Sequence, residues 1–163
     1  MDRELSELFT SDVGTLPDIY IENLTSSELG LIYNWIRSIT TIYGSPTLWL
    51  IEEQKDVLIS EFENPVSLFL ENKCKIFRHS LTEFSLDGII IPQLTISIES
   101  STSLSFDYRM GPKWGFDQIN ALFKFLFHIT KFASNAIVYQ TFEGEYNKPN
   151  VSFTSAFAKF CEM

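Results

Sequence analysis

Two stretches of the sequence alternate between apolar and polar residues, and this pattern restricts the fold more than any other feature. Residues 94–99 and residues 103–108 each place an apolar side chain at every second position. A period of two is typical of a β-strand that is covered on one face and exposed on the other. The polar residues 99–103 between the two stretches suit a hairpin loop. The sequence therefore predicts an antiparallel hairpin with one apolar and one polar face.

Two main helices are predicted, one before this hairpin and one after it. Thr25-Ser26-Ser27-Glu28 fits a capping box and places the first helix near 25–40, with an apolar stripe at helical spacing. Asp117 is expected to cap the second helix, near 117–133, after the Gly/Pro-rich turn 110–115. This second helix is apolar on several faces. It is therefore expected to lie between the sheet and other elements, or to present one face to a partner.

Shorter apolar runs complete the predicted fold. Further strands are expected at residues 19–21, 48–51, 57–59, 89–91 and 136–139. Asn64-Pro65 marks the start of a short helix. Residues 1–14 are expected to form a short helical turn and then to be loosely ordered. Residues 151–160 are expected to pack their aromatic rings on the core. Because helices and strands do not alternate regularly, the predicted fold class is α+β. It is a single domain over residues 1–163, with a mostly antiparallel sheet packed by the two main helices and by short helices.

The net charge of the chain restricts its partners. A chain of 163 residues is long enough for one hydrophobic core, and the formal net charge is −9. The resulting field repels polyanions and attracts cationic surfaces. Lys73, Lys75 and Arg78 form a small basic cluster, which is too short to outweigh the surrounding acid and is interpreted as solvated surface. We therefore expect a protein partner and no nucleic acid.

The residues that usually hold metals or cofactors do not occur at the required spacings. His79 and His128 have no His or Cys three or four residues away, so no zinc site is predicted, and His128 is interpreted as a hydrogen-bonded packing residue. Cys74 and Cys161 lie outside any CxxC motif and are expected to be free thiols. No glycine-rich phosphate loop and no GxSxG motif occurs. The sequence therefore predicts no cofactor, no metal and no catalytic residue, which favours a protein that is not an enzyme.

No contact with a membrane is expected from the sequence. Met1-Asp2-Arg3-Glu4-Leu5 lacks the basic and apolar regions of a signal peptide. No stretch reaches the length of about 20 apolar residues that spans a bilayer. We therefore expect a cytoplasmic location.

One segment, 106–115, combines a strand with charged residues, a Gly/Pro turn and a tryptophan. Tyr108, Arg109 and Trp114 are residue types that are enriched at the centres of protein interfaces. In the alternative interpretation, Trp114 fills the junction between the sheet and the second helix, and Asp107 pairs with Arg109 beside it. The predicted partner-binding residues are Asp107, Tyr108, Arg109 and Trp114, together with Glu52 and Glu53 in the polar connection 52–56.

Four features of the chain are its small size, its acidity, its element order and the segment Asp107-Tyr108-Arg109-Met110-Gly111-Pro112-Lys113-Trp114-Gly115. In these features the chain resembles the immunity proteins of bacterial polymorphic toxins and contact-dependent inhibition systems. The resemblance is to this class as a whole. It implies a tight complex with a cognate, basic toxin domain. In such a complex, acidic and aromatic residues would cover the active or substrate-binding face of the toxin.

Two other functions remain open at the level of sequence. A chaperone for an effector or a secretion system would display an apolar groove, with Phe123, Phe127 and Phe132 exposed, and would usually dimerise. An enzyme with a carboxylate-based site would use donors such as Glu61 with Glu63, Glu83 with Asp87, or Asp107. Because acidic residues are spread along the whole chain, these carboxylates are interpreted as solubilising surface. The oligomeric state is left open.

Overall fold

The two alternating stretches form the centre of a five-stranded sheet. A computed structural model of the chain describes residues 2–142, 144–145 and 147–163. Its elements in chain order are α1 (Arg3–Thr10), β1 (Asp18–Glu22), α2 (Ser26–Ile39), β2 (Thr47–Leu50), β3 (Lys55–Leu58), a 3-10 turn (Ile59–Glu61), α3 (Pro65–Leu70), β4 (Phe77–Leu81), β5 (Phe84–Leu86), β6 (Ile89–Ile91), β7 (Leu94–Ser100), β8 (Ser103–Tyr108), α4 (Phe116–Thr130), β9 (Ile137–Thr141) and α5 (Val151–Glu162). None of these helices is long and apolar enough to cross a bilayer.

All strand pairings are antiparallel in the sheets that the described residues form. The large sheet has the order β4-β7-β8-β1-β9, and β2–β3 and β5–β6 form two small hairpins. Beyond β4, Ile42 forms a bridge with Leu81. The predicted α+β fold with an antiparallel sheet is thereby confirmed, and the 94–108 hairpin is β7–β8.

The helices pack on one face of the large sheet. Tyr33 of α2 contacts Phe77 of β4, with ring centroids 6.1 Å apart, and Phe125 of α4 contacts Phe106 of β8 at 5.5 Å. On its outer side α4 is covered by α5, where Phe153 lies 5.5 Å from Phe123. Helix α4 therefore lies between the sheet and another element, which is the first of the two arrangements expected from its apolar surface.

The starts of the two main helices are fixed by side-chain hydrogen bonds. In α2, Glu28 N donates to Thr25 Oγ1 (3.1 Å) and Thr25 N donates to Glu28 Oε1 (2.8 Å), so the predicted capping box is present. The expectation that Asp117 caps α4 is wrong. Gly115 N donates to Gln118 Oε1 (3.1 Å), and the helix begins at Phe116. Asp117 instead lies in the first helical turn, where its charge is favourable beside the helix N-terminus.

Helix α1 is held on the sheet by Phe9. The Phe9 ring is fully buried and stacks on Tyr108 at 4.8 Å, with Trp114 at 5.0 Å. Two hydrogen bonds reinforce this contact: Tyr108 Oη donates to Leu8 O (2.9 Å), and Gly111 N donates to Phe9 O (2.8 Å). Where the sequence favoured a helical turn followed by loose order, residues 3–10 form a docked helix.

A polar pair is buried between α2 and β4. Tyr33 Oη lies 2.8 Å from His79 Nε2, and Arg37 Nη1 donates to the same Tyr33 oxygen at 3.2 Å. Which of these two atoms donates depends on the tautomer of the His79 ring. Burial, aided by the charge of Arg37, lowers the pKa of His79 to about 4, and burial raises the pKa of Tyr33 to about 12.

Removing the Phe9 ring tests how strongly α1 is held. Phe9→Ala is expected to lower the free energy of unfolding by about 3–5 kcal/mol, the usual cost of this substitution in a core. Urea denaturation followed by tryptophan fluorescence measures the change. Phe116→Ala is the matched control at a ring that is 60% exposed, and it should change the free energy by no more than about 0.5 kcal/mol. Equal effects of the two substitutions would contradict the docking of α1 through Phe9.

Protonation of His79 is expected to destabilise the folded chain in acid. Because its pKa falls from 6.5 to about 4 on folding, the unfolded chain takes up the proton first as the pH falls. The contribution of neutral His79 to the free energy of unfolding is complete above about pH 6.5. It is lost as the pH falls to about 4, and the total loss is roughly 3 kcal/mol.

The free energy of unfolding, measured by urea denaturation at several pH values, checks this dependence. His79→Gln should flatten the pH dependence between pH 6.5 and pH 4 relative to the unsubstituted chain. The flattening should be larger in this variant than in His128→Gln, at an exposed histidine. If the His79 variant keeps the original slope, the buried neutral imidazole is refuted.

Candidate protein-binding surface

The second face of the large sheet is polar and faces solvent. Its side chains alternate along each strand with buried ones, and most keep part of their surface exposed. We call this surface the open face and define it by Arg78 and Ser80 on β4, Thr95, Ser97 and Glu99 on β7, Ser103, Ser105 and Asp107 on β8, Asp18, Tyr20 and Glu22 on β1, and Ile137 and Tyr139 on β9.

Strand register arranges these side chains in rows across the sheet. The central row is defined by successive cross-strand partners and runs through Arg78, Ser97, Ser105, Tyr20 and Tyr139. At about 4.8 Å per strand, this row is roughly 19 Å long. Its middle positions are serines, so the floor of the face is shallow between an arginine at one end and two tyrosines at the other.

The two tyrosines form a stacked pair that is fixed by a neighbouring carboxylate. The rings of Tyr20 and Tyr139 are 5.2 Å apart with an interplanar angle of 23°. Tyr139 Oη donates to Glu22 Oε1 at 2.6 Å. Burial, together with this hydrogen bond to Glu22, raises the pKa of Tyr139. The phenol therefore remains a hydrogen-bond donor at neutral pH.

The open face is negatively charged. Among its defining residues, the carboxylates of Asp18, Glu22, Glu99 and Asp107 face a single guanidinium, that of Arg78. Asp18 and Asp107 are direct cross-strand partners. Arg78 Nη2 donates to Asp107 Oδ2 at 2.8 Å. The expected pairing of Asp107 with Arg109 is therefore corrected: Asp107 bonds to Arg78, which shares the open face through the pairing of β4 with β7 and of β7 with β8.

A cleft of about 660 Å³ lies at one corner of the open face, where β8 runs into the Gly/Pro turn. Its lining includes Arg78, Asp107, Arg109 and Lys113. Lys113 Nζ also forms an ion pair with Glu83. Residues 107–113 of the predicted segment 106–115 thus line this cleft and extend the open face with the exposed cationic groups of Arg109 and Lys113.

Two of the predicted partner-binding residues are buried. Tyr108 is 1% exposed and Trp114 is 2% exposed, and both rings pack against Phe9. Trp114 Nε1 donates to Arg109 O at 2.9 Å. A partner cannot touch these rings in this conformation, which corrects their assignment as interface residues. Aromatic residues are enriched both in cores and in interfaces, so residue type alone did not separate the two roles.

The other predicted contact residues remain at the surface. Arg109 is exposed at the corner cleft, and the Asp107 side chain is 15% exposed beside it. Glu52 and Glu53 are exposed in the turn between β2 and β3. Together with Glu71, which has the largest effect, their charges raise the pKa of nearby Lys73. They lie on a different element from the open face, so the predicted residues do not form one cluster.

The strongest features of the open face were missed in the sequence. Tyr20 lies between Ile19 and Ile21, both buried, so a period of two places its ring on the polar face. Tyr139 follows the same rule between Val138 and Gln140. The alternation that revealed the β7–β8 hairpin is thus also present in these shorter strands and could have placed both rings on the outer face.

The candidate catalytic carboxylates do not form a cluster with metal-binding potential. Among the described residues, no group of three or more His, Cys, Asp and Glu side chains could hold a metal ion. Glu83 pairs with Lys113, and Asp87 lies 3.5 Å from Lys124. Glu61 and Glu63 are exposed around the end of the 3-10 turn. Asp107 is held by Arg78, as described above.

The residues proposed for a chaperone groove are only partly available. Phe123 is buried beneath the rings of α5, whereas Phe127 and Phe132 are half-buried. An apolar groove of about 490 Å³ does lie between α4 and α5, with Phe123 among the residues that line it. Part of the predicted apolar surface is therefore used in packing, and part lines a groove.

The remaining predicted side chains have simple environments. His128 is exposed and stacks on Trp35 at 5.2 Å, so it packs through the face of its ring. Cys74 and Cys161 are free cysteines, as expected. Burial raises the pKa of both thiols, which disfavours the reactive thiolate form.

Comparison with known proteins gives one weak likeness. No protein-family model and no curated protein sequence matches the chain. Among solved structures, the chain is similar to a chain in the 1.75 Å crystal structure of the toxic C-terminal tip of CdiA from Pseudomonas aeruginosa in complex with immune protein. The identity is 15%, the match covers 81% of this chain and 88% of that chain, and the TM-score is 0.49. A likeness at this level does not carry a function from one protein to another.

Proposed function

We propose that this chain is an immunity-type binding protein, which neutralises a cognate basic toxin domain by covering its active or substrate-binding face. The observation that carries the proposal is the open face, a rigid sheet surface with four carboxylates and a stacked tyrosine pair. Strand hydrogen bonds fix the backbone that carries these side chains, and the Tyr139–Glu22 and Arg78–Asp107 hydrogen bonds restrain some of the side chains. A preorganised surface loses less conformational entropy on binding than a flexible one.

Charge favours a cationic partner over a second copy of the chain. The formal net charge is −9, so encounter with a basic domain is accelerated by long-range attraction. A symmetric dimer through the open face would bring together two surfaces that each carry four carboxylates and one guanidinium. Like charges brought together at an interface cost several kcal/mol.

The size of the open face indicates that the interface extends beyond it. The central row is roughly 19 Å long, and a five-residue strand such as β1 is roughly 13 Å long, which gives about 250 Å² of flat surface. A stable interface buries about 800 Å² on each partner. The corner cleft with Arg109 adjoins the open face and enlarges it, and Glu52 and Glu53 are proposed as additional contacts on the β2–β3 turn.

The apolar groove between α4 and α5 supports an effector chaperone as the second candidate function. Phe116 and Val151, both strongly exposed, lie at its edge. A chaperone of this kind would bind an apolar segment and would usually dimerise. Sedimentation measurements in solution separate the two candidates, because the proposed immunity protein needs no second copy and the open face disfavours one.

The decisive test is neutralisation of a toxin. We expect that a toxin domain encoded beside this chain kills cells when it is expressed alone and does not kill them when this chain is co-expressed. The purified proteins should form a complex whose affinity falls as the salt concentration rises, since screening weakens charge attraction. Survival counts and calorimetric titration at two salt concentrations measure both effects. Killing that continues in the presence of this chain, with no complex, would refute the proposal.

Charge reversal on the open face locates the interface. Glu22→Lys with Glu99→Lys is expected to weaken the complex at least 100-fold, because two attractive contacts become repulsive. The control, Glu61→Lys with Glu63→Lys, makes the same charge change around the 3-10 turn. This turn lies on the helix layer, where Phe62 O accepts from Arg37. The control should weaken the complex less than about fivefold, because only long-range attraction is reduced. Thermal unfolding confirms that both variants are folded. Equal losses in the two variants would place the interface elsewhere.

A further inference from the structure

We infer that the tyrosine pair Tyr20–Tyr139, with the carboxylate of Glu22 beside it, is the anchor of the open face and receives an arginine side chain of the partner. This inference rests on the proposed function, because it names the chemistry that the same surface would recognise. It is carried by three properties of the pair: its position, its rigidity and its charge.

The position of the pair gives a partner side chain access from one side. Tyr20 faces Ser105 on β8 in the central row, and the serine side chain is much shorter than the ring. The neighbouring position of the row, Ser97, is also a serine. The rings therefore stand beside a shallow floor about two strands wide. A long side chain from a partner can lie on this floor and reach the rings at its end.

The pair is rigid before binding. Each ring is held by stacking on the other, and the Tyr139 hydroxyl is held by Glu22. Glu22 Oε1 accepts from this hydroxyl, so the second carboxylate oxygen, Oε2, is the one that can accept from a partner. Interface anchors are typically such preorganised aromatic groups, since little conformational entropy is lost when they bind.

The charge around the pair selects a cation. Asp18 and Glu22 flank Tyr20 at positions two residues before and after it, so both carboxylates share its face of the strand. The faces of tyrosine rings also attract cations. An acidic side chain would be repelled by these carboxylates, and a neutral side chain would gain no charge attraction from them.

Among cations, the arrangement fits a guanidinium better than an ammonium. A guanidinium is planar, so it can stack on a tyrosine ring while its edge donates to a carboxylate. Its hydration is also weaker, which lowers the cost of removing water. An ammonium group can satisfy the charge but cannot stack. We therefore expect arginine to bind more strongly than lysine at this site.

Short capped peptides test the inference without a toxin. Three tripeptides that differ only in the central residue, arginine, lysine or the neutral isostere citrulline, are titrated into the isotopically labelled chain at low salt. Amide chemical shifts report the position of binding. We expect the arginine peptide to shift amides of β1 and β9, with an apparent affinity at least threefold above that of the lysine peptide, and the citrulline peptide to leave them unchanged.

Substitutions at the pair provide the second arm of the test. Glu22→Gln and Tyr20→Ala are each expected to weaken arginine-peptide binding at least fivefold. Tyr139→Phe keeps the ring but removes the hydroxyl that holds Glu22, and a loss of about twofold to threefold is expected. Tyr43→Ala, at a tyrosine outside the open face that is 60% exposed, and Glu63→Gln are the matched controls and should bind like the unsubstituted chain.

The outcomes separate this inference from the proposed function. Absence of arginine-peptide shifts in β1 and β9, equal binding of the three peptides, or equal losses in the control variants would overturn the inference, even if a toxin is neutralised. Because Glu22→Gln is nearly isosteric, its result does not depend on whether Tyr20→Ala folds. Failure to neutralise any toxin would refute the proposed function, whereas the peptide result would still stand as a property of this surface.

Discussion

The register between β7 and β8 decides which side chains are buried and which face outwards. Ile96 pairs with Phe106 and Ser97 pairs with Ser105, so apolar side chains of the hairpin point to the helices and polar ones to the open face. A slip of one residue would exchange the two faces and move Phe106 into water. Exposing one such ring costs about 1.5–3 kcal/mol. The same constraint that forms the core therefore also forms the open face.

The parts of the fold that could be predicted are those whose causes are local in sequence. The capping box at Thr25 and the alternation at 94–108 each depend on residues a few positions apart, and both were read correctly. The docking of α1 depends on contacts between Phe9 and two residues about a hundred positions later, Tyr108 and Trp114. Local patterns contain no information on such contacts. The 15 phenylalanines gave no direct sign of a binding surface either, because many of them pack between helices.

The open face was harder to predict because it depends on sheet order. Alternation alone could assign Tyr20 and Tyr139 to the outer side of their strands. It could not show that they stack, which requires β1 to pair with β9 in the register that makes the two tyrosines partners. The partner of Asp107 also depends on sheet order. From the sequence, Arg78 is interpreted as part of a solvated basic cluster. The pairing of β4 with β7, which itself pairs with β8, brings Arg78 next to Asp107. Residues 107–113 of the predicted segment 106–115 adjoin this surface, whereas the rings of Tyr108 and Trp114 are buried.

The charge of the open face is more than folding requires. Asp18 on β1 and Asp107 on the adjacent strand β8 are direct cross-strand partners. Like charges in such a pair destabilise a sheet. Serine or threonine at either position would keep the polar outer face without this repulsion, as Ser97, Ser103 and Ser105 already do. Arg78 compensates for part of this negative charge through its ion pair with Asp107. The helix layer stabilises the fold without this charge, so the acidity of the face supports the proposed binding of a cationic surface.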